Sequence, residues 1–372
     1  MRCRLVYILY VVAFAVVAWV TVLAIPRTED IDSSSYRAMV CGGEVCRPYA
    51  SRVLHPAVVR CLMTAGVGQD KAFAAVNIMS AVVFYVLVLV LMQPLRFSSV
   101  VFLLLTSPLW WVWGGSLYIQ DMFAAMLAAA LFITVRVEAS SAREGVYCGR
   151  RGLFCIGMLI LLMQLTRESS AVFALALAVL AWCERDRRLA IVSVAAMITG
   201  MAIVAWVSRD AQPNVNELDG LTYLACKAIA NGLRNIAGLI PWNDGYATRL
   251  ACYYPDPPLW KYTLPTFLQR GNVHEIGIYT FLPETIVITF GVWLLYFPGI
   301  LLFLGKLRRE WQIRTFFYDG FMHLPLDVKL AFVSGGIFWI LVPFCGTSLL
   351  RYAGYAWPLF WIALPYWLSR RA

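Results

Sequence analysis

The chain has 372 residues, of which 61% are hydrophobic and 14% charged, with a mean hydropathy of +0.72. A soluble domain is nearer half apolar and a quarter charged, so these values point away from a soluble enzyme and toward a polytopic membrane protein. The formal net charge of +10 is carried mainly between apolar runs, where membrane orientation accounts for it, so nucleic acid is not an expected partner.

The first apolar run, roughly residues 5–25, is long enough to span and lacks a clear small-residue cleavage site. It is read as a membrane span, not a signal peptide. A polar stretch of roughly 26–72 follows. It opens with Glu29, Asp30 and Asp32, continues through Tyr36 and a Cys41–Cys46 turn, and ends in the basic run Arg47 to Pro56. Further apolar runs at roughly 73–93, 99–113, 120–136, 152–165, 171–183, 189–207, 285–305, 330–346 and 354–368 bring the expected total to ten spans.

Basic residues support that count. With Arg2 and Arg4 in the cytoplasm, the inner connections carry Arg96, Arg143, Arg150, Arg151, Arg185, Arg187, Arg188, Lys306, Arg308, Arg309 and Arg314. Arg370 and Arg371 then also lie inside, and the short outer connections hold only Arg167 and Arg351. Two long loops, roughly 26–72 and 208–284, face out. Cys41 with Cys46, and Cys226 with Cys252, fall in those loops, where each pair is free to bond or stay reduced. The second loop is rich in aromatics and prolines, including Trp242, Tyr246, Pro257 and Trp260, and is long enough to form a lid. The inner connection at roughly 306–328 mixes bases with Trp311, Phe316 and Phe317, as an interfacial helix does.

Residues 152–183 read as a short hairpin, because basic clusters flank both ends. Arms of roughly 13 to 15 residues reach only ~20 Å, about 10 Å short of a crossing. Its tip, Thr166-Arg167-Glu168-Ser169-Ser170, is therefore expected below the outer membrane surface, facing protein or a water-filled cavity.

Four groups have the chemistry for a site. A carboxylate among Glu29, Asp30 and Asp32 could act as a general base, or Asp32 could cap a helix starting at Ser33. Asp121 is either a second carboxylate facing the first loop or the cap of the fourth span. Arg167 suits a phosphate through its planar fork, or else satisfies Glu168 in a structural pair. Arg351, Arg52 and His55 are further phosphate or sugar ligands, or else interfacial and surface residues. Trp110, Trp111 and Trp113 are most simply an aromatic belt. Every membrane-edge charge singled out here lies on the outer side, which points to one outward-facing cavity. No Gly-rich phosphate loop, zinc-spaced Cys/His cluster or repeat of short period is present.

The layout resembles the GT-C membrane glycosyltransferases. The resemblance covers roughly residues 1–284: one span, a long first outer loop with an acidic motif at Glu29-Asp30-Ile31-Asp32, short connections, then a second large outer loop. Asp121 stands where a second acid often stands, and Asp32, Tyr36, Pro48, Arg52-Val53-Leu54 and Pro56 follow a pattern of this class. The resemblance implies an all-α bundle of about ten transmembrane helices, with a catalytic module at 1–284 and a C-terminal three-helix part at 285–372. It implies a bacterial inner-membrane enzyme with its site facing the periplasm. The donor would be a polyprenyl-phosphate-linked sugar, the acceptor a glycan, lipid or protein, and the transfer inverting. Asp30 or Asp32 would be the base, aided by Asp121. Arg167, Arg351 and Arg52 would hold the phosphate, supported by Glu29, His55, Glu168 and Tyr36. No cofactor is certain, and a divalent metal is compatible, since metal dependence varies in the superfamily.

Two other classes stay open. An O-antigen-type polymerase or ligase would use arginines of the second loop, Arg234 and Arg249. A lipid or solute transporter would favour internal symmetry, of which the sequence has no trace.

Overall fold

The computed structural model describes residues 31–47, 49–92, 120–140, 149–212, 321–345, 354–363 and 366, with isolated helical positions between 8 and 19. Among the described residues the regular structure is helical throughout, with no strand. The helices are α1 (Ile31–Cys41), α2 (Leu54–Thr64), α3 (Gln69–Met92), α4 (Asp121–Ser140), α5 (Arg150–Thr166), α6 (Ala171–Cys183), α7 (Arg187–Val207) and α8 (Leu326–Cys345). Three of them, α3, α4 and α7, are long and apolar enough to cross a membrane. This is the composition of an all-α membrane protein.

α3 shows why the sequence takes this form. Its second half, Val82-Val83-Phe84-Tyr85-Val86-Leu87-Val88, is rich in β-branched residues that favour strands in water. In hydrocarbon each backbone N–H and C=O must be bonded within its own segment, which makes the helix the available solution. The 24 residues of α3 extend ~36 Å, more than the ~30 Å of a bilayer core.

The chain divides into two compact units, residues 1–212, 323–335 and 358–372 in one and 213–322 and 336–357 in the other. In the second, the Phe338 and Tyr355 rings lie 5.8 Å apart. The first holds the two charged clusters described below. In it α4 packs between α3 and α5, and α7 lies along both arms of the α5–α6 hairpin. Phe14, from the first apolar run, stacks on Tyr85 of α3 with centroids 4.1 Å apart. Close approach of α5 and α7 depends on Gly200, where an added Cβ would sit 2.7 Å from the Cβ of Gln164. Small residues serve this purpose where no water drives helices together. The rest of α7 turns Ile191, Ile198, Met201 and Trp206 outward, as a lipid-facing helix does.

The hairpin forms as expected, with arms of 17 and 13 residues. The last expected span does not continue as one α-helix. Gly354–Ala356 is a 3-10 turn and Leu359–Ala363 a π-helical turn. Pro358 explains the break, since an α-turn here would set its ring against the carbonyl of Gly354 and lack an N–H. Close packing adds to it: a Cβ on Gly335 would lie 2.5 Å from the Leu359 nitrogen. Cys41 and Cys46 are free thiols. The expected spans at 99–113 and 285–305, the second outer loop beyond 212 and the tryptophan belt lie outside the described residues.

Candidate functional site

The hairpin tip is the centre of the site. α5 ends at Thr166, and Arg167 takes an extended conformation (φ −163°, ψ 135°). Its N–H still donates to the Met163 carbonyl at 2.9 Å. One 3-10 turn, Glu168–Ser170, then leads into α6, and the Ser170 hydroxyl donates to the Met163 carbonyl at 2.7 Å. This fixed turn sends two neighbouring side chains to different elements.

Arg167 reaches α4. Its Nη1 donates to Oδ1 of Asp121, the first residue of that helix. Both side chains are buried, 9% and 5% exposed. Asp121 therefore opens α4 and also neutralises an arginine from 46 residues away. Glu168 reaches the first polar stretch. It accepts from the Ser51 hydroxyl and from Arg52 Nε at 3.1 Å. Arg52 Nη1 donates to the Tyr36 hydroxyl at 3.0 Å, and its guanidinium lies 5.5 Å from the Tyr49 ring centroid. The Tyr36 and Tyr49 rings meet edge to face at 5.7 Å. Glu168 is 41% exposed and Arg52 13%, so this second pair opens to the surroundings while the first is closed.

Burial alone would lower the Arg52 pKa. The Tyr36 oxygen and the Glu168 carboxylate outweigh it and hold the guanidinium charged more firmly than usual. His55, on α2, is fully buried between Phe73 of α3 and Phe123 of α4, with centroids 5.8 and 5.7 Å away. Burial pushes its pKa down to about 4, against the opposing pull of Asn77 and Asp121. The imidazole is thus neutral at pH 7 and lines the floor of the cluster.

Six of the residues singled out in the sequence therefore meet here: Tyr36, Arg52, His55, Asp121, Arg167 and Glu168. The surface alternatives for Arg52 and His55 are overturned by their burial, because both sit among aromatic rings. The self-satisfied alternative for Arg167 and Glu168 gives way to partners on α4 and on the first polar stretch, because the extended residue at the tip separates the two side chains. Asp32 stands in the first turn of α1, which begins at Ile31, and its side chain lies outside the described residues. Glu29, Asp30 and Arg351 lie outside the described residues. Among the described residues no group of three His, Cys, Asp or Glu side chains could hold a metal ion.

No protein-family model, curated protein or solved structure matches the chain.

Sequence reading overlooked Ser51 and Tyr49, which lie inside the basic run yet carry no charge to mark them. It also overlooked a second set of paired charges, two buried and two half-buried, at the far end of α4. There Arg136 donates from Nε and Nη2 to Asp327 Oδ2, each at 2.7 Å, and Lys329 pairs with Glu184. This set lies at the other end of α4 from Asp121, so the paired charges are not confined to one end of that helix. The four residues sit at or near the ends of separate helices, Arg136, Asp327 and Lys329 each between apolar neighbours, and only the packing of α4, α6 and α8 brings them together.

Proposed function

We propose that this protein is a membrane glycosyltransferase. It moves a sugar from a polyprenyl-phosphate carrier to a periplasmic glycan, lipid or protein acceptor, with its site on the outer side of the bacterial inner membrane. The observation that supports this reading best is the convergence of Arg52 and Arg167 on one turn, each held by a carboxylate. Two guanidinium forks from distant parts of the chain are the chemistry that grips a lipid-linked phosphate.

The roles follow. Arg167, Arg52 and Arg351 hold the donor phosphate and stabilise the charge that grows on it as the sugar leaves. Asp32 or Asp30 takes the proton of the acceptor hydroxyl as its oxygen attacks the anomeric carbon from the opposite face, which inverts that centre. Asp121 and Glu168 keep the arginines oriented before the donor arrives. His55 and Tyr36 shape the floor and wall.

The test is transfer by the purified chain in lipid nanodiscs, offered a panel of polyprenyl-phosphate sugars. Wild type should transfer from at least one donor. Asp32→Asn or Asp30→Asn should abolish transfer while donor binding persists, and Arg52→Lys should weaken donor binding. Full activity in both Asp variants would reject the assigned base.

One observation favours a second reading. Paired charges occupy both ends of α4, the buried Asp121 at its start and the half-buried Arg136 near its close. A transporter or lipid flippase would need polar groups along its path. Proteoliposomes that move labelled lipid or solute without forming a glycoside would favour that reading.

A further inference from the structure

The second charged set borders a cleft. Arg136 and Ala139 of α4, Glu184 just beyond α6, Asp327 and Lys329 of α8, and Tyr366 enclose about 390 Å³. Such a volume suits one small organic ligand. Three apolar helices end here: α4 runs to Ser140, α6 to Cys183, and α8 starts at Leu326. The cleft therefore sits at headgroup level of one membrane surface, not in the hydrocarbon. Ala139 and Leu326 add apolar wall beside the charges.

The charges select the ligand. Among the described residues lining the cleft, Arg136 and Lys329 supply two positive groups and Asp327 and Glu184 two negative ones, with the His323 imidazole beside them. A ligand of net charge would leave an uncompensated ion against buried walls, which is costly. A zwitterion exchanges partners without that cost. Arg136 spends three of its five N–H groups, on Asp327 and on the Leu91 carbonyl. Donors thus remain for a phosphate oxygen. Carboxylates accept hydrogen bonds, so they prefer a primary ammonium to a trimethylated one. Quaternary ammonium is held instead by aromatic cages, and Tyr366 is the only Phe, Tyr or Trp ring among the described residues lining the cleft.

We infer that this cleft binds a zwitterionic headgroup made of a phosphodiester and a primary ammonium, as in phosphatidylethanolamine. Phosphate faces Arg136 and Lys329, and the ammonium faces Asp327 and Glu184. The site lies at the opposite end of α4 from Asp121 and does not depend on the glycosyl-transfer reading.

The test uses the full chain in detergent micelles doped with phosphatidylethanolamine, phosphatidylcholine or phosphatidylglycerol. Retained lipid is counted by native mass spectrometry and the melting temperature is followed in parallel. Phosphatidylethanolamine should bind at least about tenfold more tightly than the other two. Arg136→Lys, which keeps the charge and loses the fork, should remove most of that preference. Ala139→Trp, which fills the cleft and touches no ion pair, should remove lipid retention at this site. Free phosphoethanolamine should compete only at far higher concentration if the source is a lipid, and with comparable affinity if it is a soluble zwitterion. Equal retention of all three lipids by wild type, or unchanged selectivity in Ala139→Trp, would overturn the assignment.

Discussion

The two ends of α4 carry the same kinds of residue in different settings. At the start, Asp121 and Arg167 are closed off, while the adjoining Arg52–Glu168 pair is partly open. At the far end, ~22 Å along the axis, Arg136–Asp327 and Lys329–Glu184 border a cleft. The first end is built on a turn of four adjacent residues plus the first polar stretch, with aromatic rings on one side. The second is built on three helix ends, with Tyr366 as the one Phe, Tyr or Trp ring among the described lining residues. A guanidinium among aromatic rings with an exposed carboxylate partner is positioned to exchange that partner for a ligand. Two ion pairs side by side, balanced among the described residues, are what the zwitterionic headgroup inferred above would exchange with.

The closed pair should respond most strongly to mutation. Arg167→Ala leaves Asp121 charged and buried, and should cost ~3–5 kcal/mol of stability in a chemical unfolding series in detergent. Arg167→Met combined with Asp121→Leu should cost much less than the two single changes summed. Additive losses would mean the pair is not coupled.

His55 should come next, through pH. It titrates near 6.5 unfolded and about 4 folded. Above pH 6.5 both states are neutral and its contribution is fully present. As pH falls from 6.5 to about 4, only the unfolded state takes up the proton, so stability is lost across that window. The loss is roughly 3 kcal/mol and levels off below it. His55→Phe, another ring between Phe73 and Phe123, should flatten that part of the profile. Parallel profiles for wild type and variant would contradict the buried neutral imidazole.

Gly200 tests the packing that holds the hairpin. Gly200→Leu must displace the root of the Gln164 side chain and should cost about 1–3 kcal/mol, read as a lower melting temperature. The smallest stability effect is expected at the open pair. Glu168→Gln should cost no more than ~1 kcal/mol, because the carboxylate is well exposed, while donor affinity shifts. A large loss of stability at Glu168 would erase the contrast between closed and open pairs.

Much of the fold was legible. Apolar run lengths gave α3, α4 and α7 to within a few residues, and the basic flanks of 152–183 gave the hairpin. The break at Pro358 was visible in principle, but the strong apolar run hid it. At the site, charge in an apolar context was the signal that marked Arg167, Glu168, Asp121 and Arg52. It could not show who pairs with whom, because pairing depends on the extended Arg167 backbone and on α4 lying beside α5. Ser51, Tyr49, Phe73 and Phe123 carried no such signal. Arg136, Glu184, Asp327 and Lys329 looked like ordinary helix-end charges, and only contacts across as many as 191 residues reveal their partners.

Sugar transfer measured side by side for Arg52→Lys at one end of α4 and Lys329→Arg at the other tests the central claim most directly. Reconstituted protein with a polyprenyl-phosphate sugar donor should lose transfer by about a hundredfold or more in Arg52→Lys, ~2.7 kcal/mol of transition-state stabilisation, and keep it in Lys329→Arg. Equal rates in both variants, or the loss falling on Lys329→Arg instead, would contradict it.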